Sequence, residues 1–514
     1  MVDNEQNDQT VQISENQLTE QNSSDNSQQK KAGIKSNFIY NLLGQAFTLL
    51  IPLVTTPYLS RILHEVGNGQ ISYTASIITY FVLFASLGFS TYGQREIARY
   101  QDDRDKKSQI FWEIFILRSI CTIVALSVLY IWLFVGGFGE KYNLLILIQS
   151  IQVFAIIFDL QFFYYGEENF KTIAIRTIII KVALLVCVFV FVKKESDVWI
   201  YALCLSLSIL VPNLFTWLGL RKRIKLVRFK ELKLLRHIKP VLIIFLPTVI
   251  TSVFTTLDKT MIGLLSNNPD YDNGCYEQAY KINSMAQTFI ILLPSVMMSR
   301  NSYEYKNGKI EEMNRHIYMT CNYVWMTSLP FIAGFVVLAS NFSSWFLGDG
   351  YVEVPELLQI MTIRLATSGF SIIFGNLFIT IGKELYWTIS VLMGAIINFV
   401  INFLMIPSYG AIGAAWATAI TEFVIFVTMG AFVVYKKLLS PIKILISSWK
   451  YLVATGFMFG VIFLMQYFMN YSWWEFLLIG LCGIVVYGSV LLVLKEKILY
   501  LFLNKLINKI KKSH

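Results

Sequence analysis

The chain has 514 residues, of which 55% are hydrophobic and 15% charged, and its formal net charge is +10. Soluble domains are about 45–50% apolar and about 25% charged, so this composition excludes an ordinary water-soluble protein and predicts a membrane protein. The basic residues lie in short stretches between apolar runs, which argues against nucleic acid as a partner. The six cysteines are scattered without the spacing of a metal site or a disulfide framework.

The N-terminal segment differs from the rest of the chain. Residues 1–36 are rich in Asn, Gln, Ser and Asp and carry few bulky apolar side chains. Such a segment buries too little surface to fold alone, so we predict a disordered cytoplasmic tail over 1–36. The first apolar run begins only at Phe38, which does not fit a secretory signal peptide.

Long apolar runs follow one another along the remaining chain. A membrane-spanning helix needs about 20 mainly apolar residues, and about fourteen stretches meet this requirement. They lie near 37–63, 71–92, 110–136, 142–165, 172–193, 197–220, 240–265, 276–299, 315–340, 355–380, 384–405, 411–435, 446–469 and 473–494. Nearly every run is apolar on all faces, unlike the helices of a soluble core. The sequence therefore predicts an all-α polytopic membrane protein with about 14 transmembrane helices.

The connections between the spans carry an uneven charge. Basic residues concentrate in the even-numbered connections, at 93–109, 221–239, 300–315 and 436–450. The odd-numbered connections SNNPDYDNG, GDGYVEVPE and IPSYGA contain no Lys or Arg, although Lys141, Lys193 and Lys194 are exceptions. By the positive-inside rule, both termini are predicted to be cytoplasmic and the odd-numbered connections to lie on the outer side.

The second half of the chain resembles the first. GNGQISYTAS (67–76) matches DNGCYEQAYK (272–281), and the span pair 170–202 matches 385–419. We predict two parallel six-helix lobes around a central cleft, an arrangement that suits alternating access. The predicted parts are an N-lobe at 37–220, a basic amphipathic interlobe linker at 221–239, a C-lobe at 240–435, two further helices at 446–494 and a basic cytoplasmic tail at 495–514. The linker is predicted to form an interfacial helix that contacts anionic lipid headgroups.

Three segments carry a resemblance to a known family. LGFSTYGQREIARYQDDRDKKSQIFWEIFILRSI (87–120), LDKTMIG (257–263) and NFLMIPSYGAIGAAWATAITE (402–422) resemble bacterial polysaccharide flippases. These form the polysaccharide transporter family of the multidrug/oligosaccharidyl-lipid/polysaccharide exporter superfamily, and the resemblance extends from about residue 37 to 495.

The resemblance implies a function and a location. Members would move undecaprenyl-pyrophosphate-linked oligosaccharide repeat units from the inner to the outer leaflet of the bacterial cytoplasmic membrane, through a cationic cleft. The product would serve capsule, O-antigen or exopolysaccharide synthesis. The implied partners are this lipid-linked oligosaccharide, membrane lipids, and the polymerase and glycosyltransferases of the pathway.

The same sequence is compatible with alternative functions. A lipid II flippase and a cation-coupled multidrug antiporter belong to the same superfamily, and a polysaccharide polymerase is also polytopic. Basic residues outnumber acidic ones in the spans, which favours an anionic substrate over a cationic drug. The predicted outer connections are too short for a catalytic domain, and the sequence has no nucleotide-binding, zinc or nucleophile motif. We therefore predict no enzyme activity, no catalytic residue, no metal and no cofactor.

Charged residues inside the spans indicate where structure or function requires them. A charge at mid-membrane costs about 2.5–3.5 kcal/mol on insertion scales, so each predicts a partner or a purpose. Arg118 and Asp159 lie at a depth of roughly 10 Å from the same membrane face, and are predicted to pair. Arg364 and Glu422 also share a depth and are predicted to pair within one lobe. All four are therefore predicted to be structural or ion-coupling charges.

Asp258 and Lys259 are adjacent charges in the seventh span. Neighbouring side chains on a helix point about 100° apart, so the two do not face each other. Asp258 is predicted to be a structural or ion-coupling charge with Lys281 as its partner, which leaves Lys259 to bind an anion. Lys181 in the middle of the fifth span and Arg61 at the outer end of the first complete the predicted cationic cleft with Lys259 and Lys281. Arg61 is predicted either to extend its side chain to the membrane surface or to close the cleft.

Overall fold

The computed structural model describes residues 51–136, 139–220, 223–468, 473–496 and 498–500. Within these ranges every regular element is helical and no strand occurs. The predicted disordered tail at 1–36 and the stretch 501–514 lie outside the described residues.

The first half of the described chain contains seven helices. They are α1 (51–86), α2 (Phe89–Arg99), α3 (Arg104–Val135), α4 (Glu140–Ala155), α5 (Gln161–Gly166), α6 (Phe170–Phe191) and α7 (Val198–Trp217). The helix α1 includes the described part of span one and all but the end of span two. The two spans meet near His64, where φ is 50°. This left-handed conformation is uncommon for a residue with a side chain and interrupts the regular helix.

The second half contains eight more helices. They are α8 (Ile238–Leu265), α9 (Pro269–Lys306), α10 (Ile310–Leu347), α11 (Val354–Thr380), α12 (Glu384–Tyr435), α13 (Pro441–Ser447), α14 (Trp449–Phe468) and α15 (Trp473–Val493). The helix α12 contains spans eleven and twelve, which meet at Gly410, where φ is 51°. Glycine adopts this conformation without the steric cost that a side chain would add.

The helices confirm the predicted all-α multi-pass fold. Eleven helical segments of the described chain are long and apolar enough to cross a membrane. Two of these, Ile51–Arg99 and Glu384–Tyr435, each cover two predicted spans. The helix α8 corresponds to the seventh predicted span, so the described helices correspond to the fourteen stretches found in the sequence.

The helices pack as two groups. In the first half, α4 packs against α7 and α3, and α7 against α6; in the second half, α8 to α12 pack against one another. The last two helices, α14 and α15, pack together and against α10, where Leu338 joins an apolar cluster with Tyr451, Ile462 and Ile479. We call the first group with α1 the N-lobe and the second group the C-lobe. The space between the lobes contains the site described below.

The prediction of an interfacial helix over the linker is wrong. Residues 223–237 contain only two short 3₁₀ turns, at Phe229–Glu231 and Leu234–His237. A helix requires backbone N–H and C=O groups to bond within the segment, and side chains that bond those groups compete with it. Such side chains are present on the neighbouring helix α3.

Four side chains of α3 form hydrogen bonds with backbone groups of the linker. Their contacts are Ser108 Oγ with Lys225 N at 2.9 Å, Gln109 Nε2 with Glu231 O at 2.8 Å, Trp112 Nε1 with Lys225 O at 3.0 Å and Glu113 Oε1 with Lys233 N at 2.6 Å. Glu113 is fully buried and also accepts hydrogen bonds from Arg236 and from His237 Nε2, the latter at 2.7 Å. The other ring nitrogen of His237 accepts from Tyr92 Oη at 2.7 Å. The linker is therefore fixed to the N-lobe.

Replacing Glu113 with leucine should destabilise the protein, because several donors, among them the buried His237, lose their acceptor at once. A buried donor left without an acceptor, here the His237 ring, costs about 1–3 kcal/mol. We expect a clear fall in the thermal unfolding midpoint of the purified protein in detergent. The matched control is Asp105→Asn on the same helix, since Asp105 is 74% exposed and its pair with Lys225 should contribute little. Equal effects of the two variants would contradict this role of Glu113.

Candidate functional site: a charged cavity between the lobes

A cavity of about 290 Å³ lies between the two lobes. Its walls come from α1 and α7 of the N-lobe and from α8 and α9 of the C-lobe, as the predicted central cleft requires. The polar groups of the wall include Asn68, Ser72, Thr79, Tyr201 and Thr256. These amides and hydroxyls can donate and accept hydrogen bonds, which suits a ligand with many oxygen atoms.

Three charged side chains of the C-lobe meet in this cavity. Lys259 Nζ lies 2.5 Å from Glu277 Oε2, and Lys281 Nζ lies 3.2 Å from Glu277 Oε1. The lysine side chains are 19% and 32% exposed, respectively, so both can reach a ligand in the cavity. Lys259 also lies over the Tyr280 ring, with Nζ 5.3 Å from its centroid. Two cations share one carboxylate, which leaves an excess of one positive charge.

The charged group lies well inside the two helices that carry it. Lys259 is six residues from the end of α8 at Leu265, a depth of about 9 Å at 1.5 Å per residue. Glu277 lies eight residues after the start of α9 at Pro269, or about 12 Å. Both residues also fall within the predicted seventh and eighth spans, where a charged side chain requires a partner.

Asp258 has a different environment from its neighbour Lys259. Its side chain is 3% exposed and accepts four hydrogen bonds from neutral groups. The donors are Tyr276 Oη at 2.5 Å, Thr418 Oγ1 at 2.7 Å, Asn398 Nδ2 at 3.0 Å and Asn402 Nδ2 at 2.6 Å. The predicted pairing of Lys281 with Asp258 is therefore wrong. Lys281 instead pairs with Glu277, which precedes it by one turn of α9. Asp258 instead joins α8, α9 and α12 within the C-lobe.

The two ion pairs predicted from depth are confirmed. Arg118 Nη1 lies 4.0 Å from Asp159 Oδ2, and Arg118 also donates to the Ile157 carbonyl at 3.2 Å. In the C-lobe, Arg364 Nε lies 3.4 Å from Glu422 Oε1. Each pair lies within one lobe. None of the four residues is among the described residues that line the cavity. These contacts favour a structural role for both pairs.

Two predicted cleft residues lie elsewhere among the described residues. Lys181 is part of α6 and is not in the described wall of the cavity. Arg61 is exposed on α1, and its guanidinium donates to the Trp345 carbonyl of the C-lobe. Arg61 thus connects the lobes, in line with the predicted option that it closes the cleft. A direct contact of either residue with substrate stays a prediction.

Glu277 is the residue of this site that we did not single out from the sequence. It lies one residue after the predicted start of the eighth span at 276, whereas α9 begins at Pro269. Because the helix starts earlier, Glu277 lies two turns inside it. Its four-residue spacing from Lys281 was the available signal, since such residues are neighbours on a helix face.

Comparison with known proteins places the chain among related membrane proteins. The family model described as "Polysaccharide biosynthesis protein" matches residues 34–298. A protein named "Putative O-antigen transporter" from Shigella dysenteriae is 23% identical over 406 residues, which cover 77% of this chain and 99% of that protein.

Solved structures show the same fold at low sequence identity. The inward closed conformation of lipid II flippase MurJ has a TM-score of 0.72 and 16% identity, covering 90% of this chain and 99% of that one. An inward-facing multidrug resistance MATE family transporter of the MOP superfamily has a TM-score of 0.58 and 14% identity, covering 76% and 98%. The match covers almost all of each neighbour, so the fold extends over both lobes.

Proposed function

Since the chain belongs to the family described as polysaccharide biosynthesis protein, we propose that it is a flippase for lipid-linked oligosaccharides. The substrate would be an undecaprenyl-pyrophosphate-linked repeat unit that moves from the inner to the outer leaflet. The name of the Shigella relative and the fold shared with MurJ and MATE transporters agree with a transporter rather than an enzyme.

The observation that carries this proposal is the excess positive charge in the interlobe cavity. A pyrophosphate linkage is an anion, and ammonium groups bind phosphate oxygens through charge-assisted hydrogen bonds. Lys259 and Lys281 would bind the pyrophosphate, while Glu277 holds them in position when the cavity is empty. The surrounding hydroxyl and amide groups would bind the first sugar.

The size of the cavity suits a headgroup rather than the complete substrate. Its volume of about 290 Å³ lies at the lower end of the range for ligand pockets, about 300–1,000 Å³. The isoprenoid chain is apolar and needs no protein to shield it from the bilayer. The charged headgroup does, because an uncompensated charge in the hydrocarbon core is costly. Transport would therefore consist of carrying the headgroup while the chain stays in lipid.

The alternatives fit these residues less well. A cation-coupled antiporter for cationic drugs would face repulsion from the two lysines. A polymerase would need a catalytic domain on the outer side, whereas the described outer connections at 266–268 and 348–353 are short. The proposal also includes a bacterial cytoplasmic membrane location with cytoplasmic termini, and the pathway's polymerase and glycosyltransferases as partners.

Depletion of the protein from its host cell tests the flippase function. We expect a single-repeat pyrophosphate lipid to accumulate in the inner leaflet, because its synthesis continues while its export stops. Mass spectrometry of the extracted lipids would give the sugar composition, and a glycosidase added outside would show which leaflet holds them.

Other outcomes of the depletion would contradict the proposal. Accumulation in the outer leaflet would indicate a block in polymerisation. Accumulation of lipid II instead of a polysaccharide repeat would indicate the lipid II flippase. Sensitivity to cationic drugs without any lipid accumulation would favour the antiporter.

A further inference from the structure

Two repeat-related glycines bring the lobes together on the side predicted to be the outer one. Gly69 and Gly274 occupy the third position of GNGQISYTAS and DNGCYEQAYK, respectively. A Cβ atom on Gly69 would overlap the Asp270 carbonyl oxygen and lie 2.9 Å from the Gly274 nitrogen. A Cβ atom on Gly274 would overlap the Glu65 carbonyl oxygen. The contact is therefore reciprocal, and each lobe approaches the other where it lacks a side chain.

A buried carboxylate of the C-lobe binds the N-lobe beside these glycines. Asp270 near the start of α9 is 5% exposed. It accepts from Gln70 Nε2 at 3.2 Å, from Tyr142 Oη at 2.7 Å and from Lys141 Nζ. All three donors belong to the N-lobe, on α1 and α4, so these bonds exist only while the outer ends of the lobes are together.

Lys141 is one of the three exceptions to the charge pattern of the connections. The positive-inside rule disfavours a lysine on the outer side. Its bond to Asp270 gives this lysine a structural purpose, because removing a carboxylate from water without a cation is costly. Lys193, a second exception, instead lies over the Tyr58 ring of its own lobe, with Nζ 5.8 Å from the centroid.

Further hydrogen bonds between the lobes extend from the two glycines to the charged cavity. Asn68 Nδ2 donates to Tyr351 Oη at 3.0 Å, and deeper, Ser72 Oγ donates to Glu277 Oε2 at 3.2 Å. Glu277 therefore contacts the opposite lobe as well as the two lysines. Separation of the outer ends would expose the cavity to the outer side.

We propose that Gly69, Gly274, Asp270 and Lys141 form an outer latch that holds the cavity closed to the outer side. Tight packing of the two glycines permits closure, and the ion pair of Asp270 with Lys141 stabilises it. Opening separates the glycines and exposes the buried Asp270 carboxylate to water. The inference goes beyond the proposed function, since it concerns access to the cavity and does not depend on the substrate.

Thiol labelling of the cavity tests the latch directly. A cysteine replaces Thr79 of the cavity wall in a chain whose six natural cysteines are replaced by serine or alanine. Right-side-out vesicles then receive a charged, membrane-impermeant thiol reagent, and the labelling rate is measured. Lys141→Met and Asp270→Asn should raise the rate about two- to fivefold, because ion pairs with an exposed partner are modest in strength. Gly69→Ala should raise it by about tenfold or more, since a packed interface cannot take the extra methyl group.

Matched variants separate the latch from general loosening. Lys193→Met removes a different lysine of the predicted outer connections, and Gly334→Ala adds a methyl group where no atom lies within 4 Å. Both should leave the labelling rate unchanged. Equal acceleration in these controls, or no acceleration in the latch variants, would overturn the proposal. Faster labelling only in inside-out vesicles would also overturn it, because the contact would then close the cytoplasmic side.

A cross-linking experiment tests closure without altering the latch itself. Cysteines replace Asn68 and Tyr351, whose side chains meet across the lobes, and a short bis-methanethiosulfonate reagent joins them through two disulfides, with release of methanesulfinate. Cross-linking should reduce labelling of a cysteine at Thr79 to background, and cleavage should restore it. Continued labelling of the cross-linked protein from outside would show that the cavity opens by another route.

Discussion

Replacing Lys259 with alanine should weaken substrate binding about 10- to 100-fold while leaving the amount of folded protein nearly unchanged. A hydrogen bond to a charged group contributes about 1.5–3 kcal/mol, and each 1.4 kcal/mol corresponds to about tenfold in affinity. Lys259 is 19% exposed and lines the cavity, so its loss removes a ligand contact rather than a core contact. The measurement is transport of the lipid-linked oligosaccharide by purified protein in liposomes as a function of substrate concentration.

A double variant distinguishes direct contact from net charge. Lys259→Ala alone brings the cavity to neutrality, since Lys281 and Glu277 remain. Adding Glu277→Gln restores one positive charge without restoring the Lys259 ammonium group. We expect no recovery from the second change if Lys259 binds the substrate itself. Full recovery would show that only the net charge matters.

The other predicted lysine provides the matched comparison. Lys181→Ala removes an ammonium group from α6, outside the described wall of the cavity. We expect a smaller effect on substrate affinity than Lys259→Ala produces. An equal or larger loss in Lys181→Ala would place the anion site elsewhere.

Replacing Asp258 with alanine should instead destabilise the folded protein. Four buried donors from α9 and α12 would lose their common acceptor. Hydrogen bonds between membrane helices average about 0.6 kcal/mol with a maximum near 1.7, so four bonds give about 2–7 kcal/mol. The expected result is a lower thermal unfolding midpoint in detergent and less protein in the membrane.

The Asp258→Asn variant separates the two predicted roles of this carboxylate. Asparagine keeps the shape and one acceptor, and the hydroxyls of Tyr276 and Thr418 can accept from its amide. If Asp258 is structural, the variant should keep most of its stability and transport. A stable variant without transport would support ion coupling. Loss of transport in Asp258→Ala at normal stability, with intact transport in Lys259→Ala, would show that the roles of the two neighbours were assigned wrongly.

Span positions and the pairs at shared depth were predictable because both follow from the cost of polar groups in lipid. The apolar runs located the helices, and Arg118 with Asp159 had to lie at one depth to pair. Pairing by shared depth failed for Lys281, because the carboxylates of both Asp258 and Glu277 lie at a similar depth. Glu277 lies on the same face of α9 as Lys281, and this local geometry decides the pairing.

The true start of α9 and the conformation of the linker could not be read from apolar runs. The first turns of α9 are polar because Asp270 and, two turns later, Glu277 bond the other lobe, which is a tertiary contact. The linker alternates basic and apolar residues as an interfacial helix does. Ser108 and Trp112, however, form hydrogen bonds with its backbone groups. In both places a distant part of the chain supplies the partner, so a local pattern carries little information.

The fixed linker has a consequence for biosynthesis. The ribosome completes the N-lobe first, and membrane insertion proceeds in the same order. A nascent chain that has reached residue 220 holds Glu113 without its linker donors, whereas one that has reached His237 supplies all of them. The first half can thus mature before the C-lobe is translated. Dividing the gene into two co-expressed halves should accordingly work better after codon 237 than after codon 220.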